Sequence, residues 1–76
     1  YPRQALRRHQ QGEALIRVLV NAEGNTQNVF LQRSSGYAIL DRSALHAVKG
    51  WNFVAAEEDG EPIDAWVEVP VAFKIQ

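Results

Sequence analysis

The stretch Ala65-Trp66-Val67-Glu68-Val69-Pro70-Val71-Ala72-Phe73 decides the fold, because it alternates two classes of side chain without interruption. Within the longer segment from Asp64 to Ile75, one class is entirely apolar: Ala65, Val67, Val69, Val71, Phe73 and Ile75. The other class is mixed: Trp66, Glu68, Pro70, Ala72 and Lys74. Side chains of a strand point alternately to opposite faces, so the segment predicts a long β-strand with one face in a core.

Pro70 predicts where this strand lies in its sheet. A proline has no amide hydrogen, so within sheets it is confined to edges and bulges. Alternate residues of a strand direct their N–H and C=O groups to opposite sides, so Pro70 can face outward while the inner ladder stays intact. We therefore expect an edge strand. Glu68, Pro70 and Lys74 give such an edge partial protection from aggregation; the alternative is that it stays open for a partner.

Upstream of this strand, the chain predicts a β-hairpin. The first strand runs from Ala14 to Val20 and repeats apolar residues at every second position. A turn over residues 21–25 follows, in which Gly24 can take a positive φ angle. The second strand, Gln27 to Ser34, has Val29 and Leu31 as its expected core residues.

Two helical segments flank the hairpin. Arg3 to Gln11 predicts a short helix that Gly12 ends as a C-terminal cap. Leu40 to Trp51 predicts a second helix, with Asp41 in its first turn, where the helix dipole stabilises a carboxylate. Its apolar residues recur at helical spacing: Leu40, Ala44, Val48 and Trp51, with Ala47 alongside. The acidic segment 54–63 is interpreted as a solvated loop.

Connection rules combine these elements into one fold class. The order is α-β-β-α-β, and the second helix returns the chain so that the last strand can lie beside the first. We expect an α+β two-layer sandwich with a three-stranded antiparallel sheet in the order 2-1-3. Both helices then cover one face and bury Trp51 and Phe53.

Composition excludes several classes of function. The chain has 76 residues, enough for one small domain, and a formal net charge of −1, which gives no basic field for nucleic acid. It has no cysteine, and we expect no metal and no cofactor, because His9 and His46 lack ligand spacing. Ser43 and His46 share one helix without an oxyanion site, which argues against an enzyme. No apolar run reaches the roughly 18 residues of a transmembrane helix.

In the order and spacing of its residues, the chain resembles the TonB C-terminal domain family along almost its whole length. The matching residues, in order, are Tyr1-Pro2, Ala5, Gly12, Val20, Gly24, Val29, Leu31, Ser34-Ser35-Gly36, Leu40-Asp41, Ala44, Ala47, Val48, Trp51-Asn52-Phe53, Gly60, Pro62 and Val69-Pro70-Val71-Ala72-Phe73. Three positions depart from the family pattern: Ala14 replaces a valine, His9 or a neighbour a glycine, and Ala55 a proline.

The resemblance implies a location and a set of partners. Such domains lie in the periplasm of Gram-negative bacteria, at the end of a linker from an inner-membrane anchor. We therefore expect residues 1–76 to be one domain cut from a longer, membrane-anchored protein. The resemblance further implies an inner-membrane proton-channel motor, reached through the missing N-terminal part, and a TonB-dependent outer-membrane transporter that imports siderophores, haem or cobalamin.

The combined hypothesis is β-augmentation, in which a periplasmic peptide of the transporter pairs with the edge of the last strand. The expected partner-binding residues on the strand are Trp66, Val67, Glu68, Val69, Pro70, Val71, Ala72, Phe73 and Lys74. At the start of the chain they are Tyr1, Pro2, Arg3 and Gln4. For Tyr1 and Pro2, an equal alternative is that they fasten the linker to the domain, and the arginines of the first helix can equally form a solvated surface.

Two other binding hypotheses remain open at this point. Leu15, Leu19, Phe30 and Trp66 are predicted to form an apolar patch away from the helices, which with the open edge could favour a homodimer of truncated chains. The second alternative is a periplasmic interaction or scaffold domain of a Tol-like envelope system that binds a protein other than a transporter.

Overall fold

The computed structural model describes residues 1–75; residue 76, the last of the predicted domain, lies outside the described residues. Two helices are present in this range, α1 (Arg3–Arg7) and α2 (Ala38–Lys49). Five strands accompany them: β1 (Gly12–Val20), β2 (Thr26–Arg33), β3 (Ala56–Glu58), β4 (Glu61–Ile63) and β5 (Ala65–Phe73). The predicted order of helix, two strands, helix and final strand is confirmed, with one small additional hairpin before β5.

The main sheet has three antiparallel strands in the order β2-β1-β5, as predicted. β1 and β5 form nine consecutive residue pairs, from Gly12 opposite Phe73 to Val20 opposite Ala65, without a register shift. The pairing of β1 with β2 is shifted twice, at Leu15/Ile16 and at Leu19/Val20. Both strands next to β1 are therefore edges, but only β5 is paired regularly along its length.

The core lies between one face of this sheet and the helices. Its β1 residues are the alternating set that the sequence predicts: Ala14, Ile16, Val18 and Val20, all at most 2% exposed. The other buried apolar residues are Ala5 from α1, Leu40, Ala44 and Val48 from α2, and Phe73 from β5. Removing each large apolar side chain from water stabilises the fold by about 1.5–3 kcal/mol.

The first helix is shorter than predicted, and Gly12 does not cap it. α1 ends at Arg7, and His9 takes the left-handed conformation (φ 55°) that redirects the chain. Gly12 instead begins β1, where a Cβ atom would lie 2.4 Å from the carbonyl oxygen of Ser35. Close backbone approach, rather than helix termination, is the reason that a glycine stands there.

Three residues expected in the core are exposed. α2 ends at Lys49, so Trp51 lies in the following loop and is 43% exposed, while Ala47 faces solvent. Leu31 lies opposite Ile16, but it is 38% exposed on the edge strand β2, next to a register shift. Val29 and Phe53 do pack against the core as predicted.

The acidic segment 54–63 is not an irregular loop but contains the hairpin of β3 and β4. Its two-residue turn is Asp59-Gly60, and both residues have positive φ angles, 53° and 81°. Asp-Gly is a favoured sequence for such a turn, because aspartate tolerates and glycine readily adopts positive φ. The carboxylates of the hairpin are exposed, as expected for a solvated segment.

Candidate functional site

The outer edge of β5 is the most regular free surface of the sheet. Within residues 1–75, β5 pairs with β1 on one side and with no strand on the other. The opposite edge, β2, is disturbed by its two register shifts with β1. Bulged edges twist and pair poorly, whereas a regular nine-residue strand presents an even row of backbone groups.

The position of Pro70 determines which backbone groups point outward. Pro70 lies opposite Leu15 in the unbroken β1–β5 register. Residue pairs in an antiparallel ladder alternate between exchanging both hydrogen bonds and exchanging none. Since Pro70 has no amide hydrogen, its pair with Leu15 is of the second kind. The amides that point away from β1 are therefore those of Trp66, Glu68 and Ala72.

Along this edge the two faces of β5 differ in burial. Val67, Val69 and Val71 face the core but remain partly accessible, because the sheet ends beside them. Phe73, further along the same face, is only 8% exposed. On the other face, the exposed residues are Trp66, Glu68, Pro70 and Ala72. An added strand could pair with the outward backbone groups and also cover the partly exposed valines.

An aromatic cluster lies on the sheet face that the helices leave open. The rings of Phe30 on β2 and Trp66 on β5 have centroids 5.6 Å apart. The guanidinium carbon of Arg17, on the intervening β1, lies 4.8 Å from the centroid of the Trp66 ring, within cation–π range. Together with Gln32 they line a shallow groove of about 390 Å³.

The sequence pattern predicts part of this cluster but not all of it. It placed Phe30 and Trp66 in one patch with Leu15 and Leu19, and the structure confirms the contact between the two aromatic rings. It did not include Arg17, which is charged and therefore reads as a solvated residue of β1. The missing signal is cross-strand register, since Arg17 lies opposite Phe30 on one side and Glu68 on the other.

The predicted residues at the start of the chain fall into two groups. Tyr1 stacks edge-to-face on Phe73, with centroids 5.4 Å apart, and its hydroxyl donates a hydrogen bond to the carbonyl oxygen of Gln10. Tyr1 thus ties the chain start to one end of β5. The Pro2 carbonyl accepts the Leu6 amide and so belongs to the first turn of α1. Arg3 and Gln4 instead line a separate open groove along α1 with Arg7 and Arg8.

The residues that could suggest an enzyme have structural roles or are solvated. His46 is exposed on α2. The Asp41 carboxylate is buried and accepts hydrogen bonds from the Ser34 hydroxyl and from the amide (2.8 Å) and hydroxyl (2.7 Å) of Ser35. Burial acts to raise the pKa of Asp41, but these hydrogen bonds together outweigh it and hold the pKa below its ordinary value. Asp41 therefore fastens the loop after β2 to α2.

The described part of the chain offers no grouping of three or more His, Cys, Asp or Glu side chains that could hold a metal ion. Neither α1 nor α2 is long and apolar enough to cross a bilayer. The acidic hairpin residues are spread along a two-stranded ribbon, a geometry without the convergent oxygen ligands of a calcium site. Among the described features, the outer edge of β5 is therefore the best candidate for a binding site, and its geometry fits an added β-strand.

Comparison with known proteins places this geometry in a family. Residues 1–75 match the family model described as the Gram-negative bacterial TonB protein C-terminal region. The chain is 44% identical over 75 residues to protein tonB2 of Pseudomonas aeruginosa, covering 99% of this chain and 28% of that protein. It is 37% identical over 76 residues to protein TonB of Vibrio cholerae, covering 100% of this chain and 31% of that protein. The chain thus spans about a third or less of the length of these curated relatives.

A solved structure agrees with the fold. The solution structure of the TonB C-terminal domain of Helicobacter pylori superposes with a TM-score of 0.75 at 26% identity, covering 97% of this chain and 77% of that one. The family match, the relatives above 30% identity and this superposition coincide over nearly all described residues. The chain therefore belongs to the family of Gram-negative bacterial TonB C-terminal domains.

Proposed function

We propose that this chain is the partner-gripping domain of a periplasmic TonB-type energy transducer. In this proposal, the outer edge of β5 binds the periplasmic peptide of a TonB-dependent outer-membrane transporter as an added strand. Force from an inner-membrane proton-channel motor, reached through an N-terminal membrane anchor, then passes through the paired strands to the transporter. The imported nutrient is a siderophore, haem or cobalamin. Family membership supports the transducer role, and the unpaired edge of β5 supports the mode of binding.

The observation that carries the proposal is the regular row of backbone groups on β5, which is unpaired on its outer side within residues 1–75. Main-chain hydrogen bonds form with little dependence on the side chains of the peptide, so this edge can serve several transporters. Each such bond contributes about 0.5–1.5 kcal/mol net. When several bonds are loaded together in shear, they resist pulling better than bonds that open one at a time. The partly exposed Val67, Val69 and Val71 add apolar surface that the guest strand can bury.

Amide hydrogen exchange on this chain tests the mode of binding. Synthetic peptides covering the periplasmic segments of TonB-dependent transporters are added, and exchange is followed by NMR residue by residue. We expect new protection at the outward amides of Trp66, Glu68 and Ala72. The amides of Val67, Val69 and Val71 point toward β1, where they pair with its carbonyl oxygens, and should be protected already in the free domain. The increase on binding should therefore alternate along the strand.

A matched pair of proline variants controls this experiment. Ala72→Pro removes an outward amide and should weaken peptide binding while the domain stays folded. Val71→Pro removes an inward amide, opposite Ala14, and should unfold the end of the ladder. Protection that appears on β2 or only on the helices, with none along β5, would refute binding at this edge. No protection anywhere in the domain would favour a scaffold function of the Tol-like kind.

A further inference from the structure

The aromatic cluster of Phe30, Arg17 and Trp66 reaches the free edge of the sheet. Phe30 belongs to β2, Arg17 to β1 and Trp66 to β5, so the three side chains form a row across all three strands. Trp66 is the last member of this row before the open edge. It is 44% exposed although one face of its ring is covered by the Arg17 guanidinium. The cluster is thus continuous with the edge at which the proposed guest strand would lie.

Strand geometry determines what a guest residue would meet there. Directly opposite side chains on neighbouring antiparallel strands have Cβ atoms about 4.5–5.5 Å apart, and diagonal neighbours remain within reach of aromatic side chains. The guest residue beside Trp66, on the open face, would therefore extend the row by one more strand. The ring of Trp66 is fixed by Phe30 and Arg17, so little side-chain entropy is lost when a guest side chain packs on it.

The next position along the same face carries a charge. Glu68 lies two residues beyond Trp66 and opposite Arg17. Among the described residues, the Glu68 carboxylate forms no ion pair, because the Arg17 guanidinium lies over Trp66 instead. Opposite charges on directly paired strand positions are stabilising and like charges are destabilising. Glu68 should therefore favour a basic guest residue and disfavour an acidic one.

We propose that the β5 edge selects guest strands with a large apolar or aromatic side chain beside Trp66 and a lysine or arginine beside Glu68. The inference rests on the proposed function, since it assumes that a peptide pairs with β5. It adds a specificity that backbone pairing alone cannot give. The two selected residues are separated by one position in the guest, because alternate residues of a strand share a face.

A scan of the aromatic position tests the first half of this proposal. A nine-residue host peptide of threonine and alanine, a length that matches β5, carries one phenylalanine that is moved along it. We expect the affinity to peak at one position by about two- to tenfold, as an added aromatic pair typically gives. The peak should disappear in Trp66→Ala. It should persist in Trp51→Ala, a matched control because Trp51 is 43% exposed but lies in the loop after α2, where its ring packs beside Phe53.

Fluorescence gives a readout that is local to the cluster. The chain has two tryptophans, so in Trp51→Phe the emission comes from Trp66 alone. The peptide at the affinity peak should shift or quench this emission more than peptides with phenylalanine one residue away. Phe30→Ala should lower the peak without abolishing binding, because Phe30 supports Trp66 but is separated from the guest by β1 and β5.

Charge reversal tests the second half. With phenylalanine kept at the peak position, a lysine is placed two residues away on the side that the scan assigns to Glu68, and a glutamate replaces it in a second peptide. The lysine peptide should bind the native domain several-fold more tightly. In Glu68→Lys the preference should invert, and the difference should shrink as salt is raised.

The outcomes separate this inference from the function on which it rests. If neither the transporter peptides nor the host peptides change amide protection along β5, the proposed function fails. If every peptide protects the outward amides but neither the phenylalanine position nor the charge alters affinity, augmentation stands and the proposed selectivity is wrong. If a preference exists but survives Trp66→Ala and Glu68→Lys, it arises elsewhere and the inference is equally overturned.

Discussion

Pro70 lies opposite Leu15 within nine consecutive residue pairs of β1 and β5, and the ladder is not shifted by it. An imino acid is compatible with this ladder only where the backbone nitrogen points away from the partner strand. The position of this one proline therefore shows which amides of β5 point toward β1 and which point outward. It also leaves a gap in the outward row of donors, which discourages indiscriminate pairing with other chains.

Because backbone amides of β5 point alternately toward β1 and away from it, two neighbouring substitutions should differ greatly in their effect on stability. Pro70→Thr restores an outward amide, and we expect the free energy of unfolding to change by less than about 1 kcal/mol. Val69→Pro removes an inward amide opposite Ile16, and we expect a loss of about 3 kcal/mol or more. Chemical denaturation followed by circular dichroism measures both.

Pro70→Thr should also increase self-association, because it completes the outward row of donors. Sedimentation velocity over a range of concentrations, on the parent chain and on Pro70→Thr, measures the effect. Equal tolerance of proline at positions 69 and 70, or a dimer that forms equally well with Pro70 present, would contradict the assigned phase or the protective role of this residue.

Gly24 and Gly60 provide a test of close backbone approach. Both have positive φ, 86° and 81°, but a Cβ atom on Gly24 would lie 2.4 Å from the Phe53 carbonyl oxygen, whereas Gly60 has open space. The carbonyl oxygen of Gly24 also accepts the Phe53 amide at 3.0 Å. We expect Gly60→Ala to cost about 1 kcal/mol from φ strain alone, and Gly24→Ala to cost at least about 2 kcal/mol more.

Thermal unfolding of the two glycine variants measures this difference. The matched φ angles make Gly60→Ala the control for backbone strain. Similar losses in both variants would mean that the segment around Phe53 moves away freely, and that the contact with Gly24 does not hold it in place.

Asp41 predicts a pH dependence of stability. Its pKa is held below its ordinary value of 3.8, because hydrogen bonds from Ser34 and Ser35 outweigh the effect of burial. A depressed folded-state pKa gives stability that is fully present above the unfolded-state pKa and is lost as the pH falls through the folded-state value. Asp41→Asn should therefore lower the free energy of unfolding at pH 7 by about 2 kcal/mol, with the difference shrinking below about pH 4.

Urea titrations between pH 7 and pH 2 test the Asp41 prediction. Glu57→Gln serves as the control, since Glu57 is exposed on β3 and its substitution should change stability little. Parallel pH profiles for Asp41→Asn and the parent chain would show that the carboxylate is not the source of the acid sensitivity.

Alanine substitutions at two leucines test where the core ends. Leu40 is fully buried on α2, whereas Leu31 is 38% exposed on the β2 edge. Leu40→Ala should cost about 2–5 kcal/mol, because a cavity remains in the core. Leu31→Ala should cost less than about 1 kcal/mol, since solvent or neighbouring side chains fill the space. Comparable losses for both would restore Leu31 to the core, as the sequence pattern predicts.

The sequence by itself determined the elements that depend on local periodicity. Alternation in Ala14–Val20 and in Ala65–Phe73 predicted β1, β5 and their buried faces, because a strand has a fixed two-residue repeat. Pro70 predicted the edge position of β5, since its missing amide hydrogen is a covalent property of the residue. The family resemblance likewise depends only on the order and spacing of residues.

Tertiary structure alone decided features in which distant segments meet. Gly12 stands where it does because of the Ser35 carbonyl, and the row of Phe30, Arg17 and Trp66 requires residues from three strands in register. Leu31 and Trp51 have the apolar character of core residues but lie where the sheet and α2 end. Periodicity reports which face of an element is apolar, whereas the extent of its cover depends on the neighbours that the fold brings beside it.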